Sequence, residues 1–165
     1  MTTPPYALSD EALLASCERT AVQARGPGGQ HVSRHACGIK LIHRASGVEA
    51  QCQDERDPTV NRSRALRRLR VRLAIAEPGQ VDRSWWDQRR SGSRMPVTAQ
   101  AKGYHLVAAV ALAALQQVEG RLADAAASLQ VSSSQLAAVL TADKEVHRAA
   151  DAIRSANGHG VLRSR

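Results

Sequence analysis

Residues 38–73 read GIKLIHRASGVEAQCQDERDPTVNRSRALRRLRVRL, and this stretch decides the fold. In 38–44, Ile39, Leu41 and His43 alternate with Lys40 and Ile42; in 48–53, Val48, Ala50 and Cys52 alternate with Glu49, Gln51 and Gln53. Two period-2 runs around Ala45-Ser46-Gly47 predict an antiparallel hairpin with one wet face. Asp57-Pro58 then signals a helix start: a capping carboxylate followed by proline at the first helical position. Leu66, Leu69 and Leu73 give that helix, expected over 58–76, one apolar stripe. The rest of it is crowded with Arg62, Arg64, Arg67, Arg68, Arg70 and Arg72, and Glu77-Pro78-Gly79 ends it. So many like charges with few acids between them would repel one another, so contact with phosphate is expected.

On the N-terminal side, residues 1–8 are rich in Pro and Thr and read as irregular. Ser9 caps a short helix over about 10–17, with Asp10 and Glu11 in its first turn and Leu8 and Leu13 at staple positions. Residues 18–24 alternate weakly and read as a strand. Between that strand and the hairpin lies ARGPGGQHVSR, residues 24–34. Its centre, Gly26 to Gln30, offers no acid, no strong nucleophile and no metal ligand. Gly28 and Gly29 reach backbone shapes closed to other residues and approach a ligand without a Cβ in the way. Gln30 adds one backbone N–H and one neutral amide, so the loop can aim a main-chain donor at a developing negative charge. It is not a Walker A loop, because the chain continues Gln30-His31-Val32 where that motif needs Lys and Ser or Thr. His31 and His35 have metal-ligand spacing but lack a third ligand, so no metal is expected.

The run from Arg25 to Leu73 resembles, in register and without a gap, the catalytic domain of class I peptide chain release factors. It is similar also to their stand-alone relatives that rescue stalled ribosomes. The matching residues include Gly26, Gly28, Gly29, Gln30, His43, Gly47, Gln51-Cys52-Gln53, Glu55-Arg56, Asn61 and the Ala65-Leu66, Leu69, Leu73 helix. The resemblance implies an α+β fold in which a hairpin-containing antiparallel sheet packs with the long basic helix. It implies that the loop enters the peptidyl transferase centre of the large ribosomal subunit and promotes hydrolysis of the ester of P-site peptidyl-tRNA. Gly28, Gly29 and Gln30 would be the catalytic residues, and Gln30 a candidate for N5-methylation. Arg25, His31, Arg34, Arg56, Arg62, Arg64, Arg67 and Arg68 would face ribosomal RNA. The chain departs from the family's usual pattern at Gln23, Arg25, Ser33 and Asp57-Pro58. Only 25 residues precede the loop, so codon reading is not expected; this points to codon-independent rescue. The alternative is a non-catalytic ribosome- or RNA-binding regulatory module.

A length of 165 residues suits one domain, or one small domain with an appendage. The net charge of +8 points to a polyanionic partner. Aromatics are 2% with no Phe, so the core is expected to be built from Leu, Val, Ile and Ala. Cys17, Cys37 and Cys52 are odd in number without a CxxC spacing, which reads as reduced thiols in a cytoplasmic protein. The start MTTPPYALSDEAL lacks the features of a signal peptide, and no segment has the apolar length of a membrane span. Residues 1–76 read as the release-factor-like domain. Residues 77–98 read as a linker with the pair Trp85-Trp86, expected to dock that linker, and 99–165 as a helical region. Helices are expected at about 99–118, 120–128, 133–140 and 143–156, with Ser132 to Gln135 as a capping box and Asn157-Gly158 as the last stop. Residues 120–140 have a helix-turn-helix texture. The second helix, 133–140, has no Lys or Arg, which argues for docking a protein partner or the ribosome. No cofactor is called for.

Overall fold

The structure is a computed structural model, and it describes residues 3–22, 38–80 and 82–163. The chain divides into two compact units, Leu8–Arg72 and Met1–Ala7 together with Leu73–Arg165. The first unit holds α1 (Asp10–Ala15), β1 (Cys17–Val22), β2 (Gly38–His43), β3 (Glu49–Cys52) and most of α2 (Pro58–Ala76). The α+β expectation holds: a three-stranded antiparallel sheet in the order β1-β2-β3 accompanies the helices.

Local chemistry sets these boundaries. Ser9 caps α1, its side chain accepting from the Ala12 N–H. At the hairpin turn, the His43 N–H donates to the Val48 carbonyl at 2.8 Å and the Gly47 N–H to the His43 carbonyl at 2.8 Å. Asp57 caps α2, with its Oδ1 2.7 Å from the Thr59 N–H. The register pairs Cys17 with His43, Arg19 with Leu41, and Ala21 with Ile39; Leu41 and Ile39 then pair with Ala50 and Cys52. Strand alternation puts all of these side chains in one row. Within it Cys17, Leu41, His43, Ala50 and Cys52 are buried, and with Leu13, Leu14, Ala65, Leu66 and Leu69 they supply the core of this unit.

The second unit is helical: α3 (Ser84–Asp87), α4 (Tyr104–Gln117), α5 (Leu122–Ser128), α6 (Ser133–Thr141) and α7 (Lys144–Ala156), with 3-10 turns at Pro5–Ala7 and Pro78–Gln80. α4 is apolar all round, and ten of its residues from Tyr104 to Leu115 are buried. That is the pattern of a central helix. It packs against α3, α5, α6, α7 and both 3-10 turns. Gly120 ends the α4 connection at φ 78°, and a Cβ there would lie 2.9 Å from Arg154 Cα. Both the dihedral and the space call for glycine.

Four details differ from the sequence reading. The helix expected from 99 begins at Tyr104, because Gly103 at φ 80° stands at its N-cap. Residues 1–8 are not merely irregular: Tyr6 is fully buried and its hydroxyl donates to the Glu77 carbonyl at 2.9 Å. Aromatics do contribute to the core, since Trp86, Tyr6 and Tyr104 are the largest fully buried side chains, all in the helical unit. The capping box at α6 is half made. Ser132 accepts from the Gln135 N–H, but Gln135 Oε1 instead accepts from the Met95 N–H at 3.1 Å.

Residues 77–98 carry buried Trp86 and Met95, and Trp86 Nε1 donates to the Leu129 carbonyl at 3.1 Å. Trp85 is half-buried, with the Arg89 guanidinium 5.0 Å from its ring centre. After α7 the chain folds back on itself. The Leu162 N–H donates to Asp151 Oδ1 at 2.7 Å, the Leu162 carbonyl lies 3.1 Å from His147 Nε2, and Leu162 is buried. Among the described residues, no helix is long and apolar enough to cross a membrane.

Tyr104 donates its hydroxyl to the Val139 carbonyl at 2.9 Å. Burial pushes its phenol well above the ordinary value of 10.0. A raised value stabilises the fold fully below about pH 10, where the unfolded chain also keeps the proton, and that stability is lost as pH rises beyond it. Tyr104→Phe is expected to lose about 1 kcal/mol at neutral pH. It should also flatten the alkaline fall in stability, as read by urea unfolding at about pH 8 and about pH 11. An equally steep fall in the variant would refute the assignment.

Candidate functional site

The segment that the sequence marks as catalytic joins β1 to β2. Gly28, Gly29, Gln30, Arg25, His31 and Arg34 lie outside the described residues; the frame that bears them lies within. β1 ends at Val22 and β2 begins at Gly38, and these two residues are Cα partners in the sheet. The two ends of segment 23–37 are thus held side by side by strand pairing.

Gly38 is demanded by space. A Cβ on it would stand 2.8 Å from Gln53 Cβ and 2.8 Å from the Val22 carbonyl oxygen. Strand backbone and a side-chain stem cannot give way as a flexible tip can. Behind β3, Asn61 fastens the turn into α2. It is fully buried; its Oδ1 accepts from the Glu55 N–H at 3.0 Å and its Nδ2 donates to the Glu55 carbonyl at 2.7 Å. Cys52 Sγ also donates to Asn61 Oδ1 at 3.3 Å. One buried amide thereby satisfies both backbone groups of Glu55. Asn61 appeared in the sequence only as a matching residue, because its donors and acceptors meet only after folding.

The arginines divide by use. Arg64 pairs with Glu55 at 2.9 Å. Arg68 pairs with Asp54 at 2.6 Å and donates to the Gln51 carbonyl at 2.7 Å. The Arg68 guanidinium beside Asp54 holds that carboxyl below the usual carboxylate range. Arg70 is buried and bonds Asp10 Oδ1 at 2.7 Å, so α2 clamps the first turn of α1. Arg72 donates to the Glu49 carbonyl at 2.7 Å. The mutual repulsion expected along the helix is therefore partly relieved by acids and carbonyls from other elements. Arg56, Arg62 and Arg67 are exposed, and their side chains have no hydrogen bond or ion pair among the described residues. They do not share one face. Arg67 lines a shallow groove with Val60, Ser63 and Arg64, whereas Arg62 lines another with Arg19.

His43 is a turn residue: it is buried, and its Nδ1 lies 2.7 Å from Ser46 Oγ. Cys17 and Cys52 are free and buried. Burial pushes the Cys17 thiol up, which suits an apolar filler that bonds the Leu13 carbonyl at 3.1 Å. Among the described residues there is no group of three or more His, Cys, Asp or Glu that could hold a metal ion.

Comparison with known proteins bears on this frame. The RF-1 domain family matches residues 14–105, a span that includes 77–98 and the first two residues of α4. Peptide chain release factor 1 of Caldicellulosiruptor bescii is 43% identical over 69 residues, covering 42% of this chain and 19% of that protein. The same factor of Streptomyces avermitilis is 38% identical over 72 residues, covering 44% of this chain and 20% of its own. That of Dictyoglomus thermophilum is 48% identical over 48 residues, covering 29% and 13%. The chain thus spans at most about a fifth of the length of these curated relatives. No solved structure matches it.

Two substitutions test the frame. Asn61→Leu strands the Glu55 backbone groups and should cost about 2 kcal/mol in urea unfolding. Gly38→Ala forces Val22 and Gln53 apart and should cost about 1–3 kcal/mol. Wild-type stability in either variant would contradict the role given to that residue.

Proposed function

The chain belongs to the RF-1 domain family, and from that membership we propose that it is a codon-independent release factor. It acts on the large ribosomal subunit, hydrolyses the ester of P-site peptidyl-tRNA, and rescues stalled ribosomes. The observation that carries this reading is Gly28-Gly29-Gln30 inside the family match, in a segment whose two ends are the paired residues Val22 and Gly38. Gln30 is eight residues from each of these anchors. Covalent geometry alone then limits its distance from them to about 28 Å.

The proposed chemistry needs little from the protein. The ribosome and the terminal ribose of the tRNA bring the polar groups and the reacting bond. Gln30 brings a backbone N–H toward the oxygen on which charge develops, and a side-chain amide that places water. Gly28 and Gly29 let the main chain approach closely. Arg25, Arg34, Arg56, Arg62 and Arg67 would neutralise RNA phosphates, with Arg64 and Arg68 contributing from within their ion pairs and His31 offering a hydrogen bond. N5-methylation of Gln30 would leave its N–H donor intact. Residues 1–76 are the proposed catalytic domain, 77–98 a connecting segment, and 99–165 a docking region. α6 carries no Lys or Arg, which supports a protein partner or ribosomal contact rather than groove reading.

The test is release of labelled peptide from P-site tRNA on ribosomes carrying truncated mRNA, with stop-codon ribosomes alongside. Gln30→Pro, which removes the N–H, should lower the rate about 100-fold or more. Gln30→Ala should lower it less, and ribosome co-sedimentation should be unchanged in both. Unaltered release in both variants would refute the catalytic role. Binding by the wild type without release would favour a non-catalytic RNA-binding module.

A further inference from the structure

Between β1 and the first turns of α2 lies a groove of about 300 Å3, lined chiefly by Arg19, Ala21, Ile39, Pro58, Thr59 and Arg62. Its composition follows from the sheet register. Arg19 stands opposite the fully buried Leu41, so strand alternation puts its side chain in the inward-facing row. β1 is an edge strand, however, and Arg19 is exposed. The result is a guanidinium at the margin of an apolar row.

Arg62 reaches the same groove from α2. It too is exposed, and neither arginine's side chain has a hydrogen bond or ion pair among the described residues. In this they differ from Arg64 and Arg68, which are tied to Glu55 and Asp54. Among the described residues, no carboxylate lines the groove. Of the acids adjacent along the chain, Glu18 alternates to the opposite face of β1 and Asp57 is engaged with the Thr59 N–H at 2.7 Å. Two cations on one groove, without side-chain partners among the described residues, repel each other until an anion enters, and forked guanidinium donors match phosphate oxygens. Ala21, Ile39 and Pro58 offer an apolar surface against which a sugar can rest.

We propose that this groove grips one backbone phosphate of ribosomal RNA between Arg19 and Arg62. The choice of partner rests on the release-factor reading above and on charge: Leu8–Arg72 holds 12 Lys and Arg against 7 Asp and Glu, which suits a polyanion. The groove includes Gly38, one of the two residues that anchor segment 23–37. A phosphate held there fixes the frame from which that segment departs, as backbone contacts fix register without reading sequence.

The experiment measures affinity of the full chain for large ribosomal subunits across a salt series. The variants are Arg19→Gln, Arg62→Gln, both together, and Arg83→Gln combined with Arg94→Gln, two exposed arginines of 77–98, as a control of equal charge change to the double variant. The proposal expects the double variant to bind about tenfold more weakly than wild type near 0.1 M salt. Its log–log salt slope should be shallower than the control's by about one. The two single losses should not multiply, because both side chains hold one phosphate. A double variant with the control's slope and affinity overturns it, as do single losses that multiply. Thermal midpoints within about 2 °C of wild type exclude misfolding as the cause. Peptide release is followed in parallel. Wild type that binds but does not release refutes the hydrolase reading while the salt slope still decides the groove. Wild type that does not bind overturns both.

Discussion

The antiparallel pairing of β1 with β2 is the constraint on which the sheet unit depends. Side chains alternate with period two, so a slip of one residue would turn Cys17 and Leu41 outward and send Glu18 and Ile42 into the core. The register therefore follows from burial. It has a consequence beyond stability: Val22 and Gly38 become neighbours, and the segment bearing Gly28-Gly29-Gln30 starts and ends at one place on the sheet. Gly38 can occupy that place because it brings no Cβ toward Val22 and Gln53.

The arginine-rich helix does two kinds of work, separated by where its neighbours fall. Arg64, Arg68, Arg70 and Arg72 bind acids or carbonyls of β3, its following turn and α1, and so hold α2 against the elements before it. Exposed ion pairs of this kind add little stability one by one. Arg70 differs, being buried with a charge-assisted bond to Asp10. Arg62 and Arg67 are left to face solvent, as is Arg56 in the turn before the helix. A high count of arginines thus overstates the charge available to a partner.

The helical unit solves a different problem. Its central helix α4 is built from Tyr104, Leu, Val and many Ala, whose small side chains let several neighbours approach at once. The few large side chains, Tyr6, Trp86 and Tyr104, each carry a polar tip that bonds a carbonyl: Glu77, Leu129 and Val139 respectively. Burial of an aromatic with its hydrogen bond made avoids an unsatisfied polar group. The returning tail uses the same device, since Asp151 and His147 meet the two backbone groups of Leu162.

By itself the sequence determined the elements with strong local signals. These are the hairpin around Ser46-Gly47, the helix opened by Asp57-Pro58, and the caps at Ser9 and Ser132. Each depends on residues within a few positions of one another, so periodicity and turn chemistry suffice to read it. What only the tertiary structure decided are the meetings of distant residues. Asn61 closing on Glu55, Arg70 clamping Asp10, Tyr6 buried with its hydroxyl on Glu77, and Arg19 sharing a groove with Arg62 carry no local signature. Their partners lie from six to more than seventy residues apart, and which pairs form depends on strand register and on what burial leaves unsatisfied.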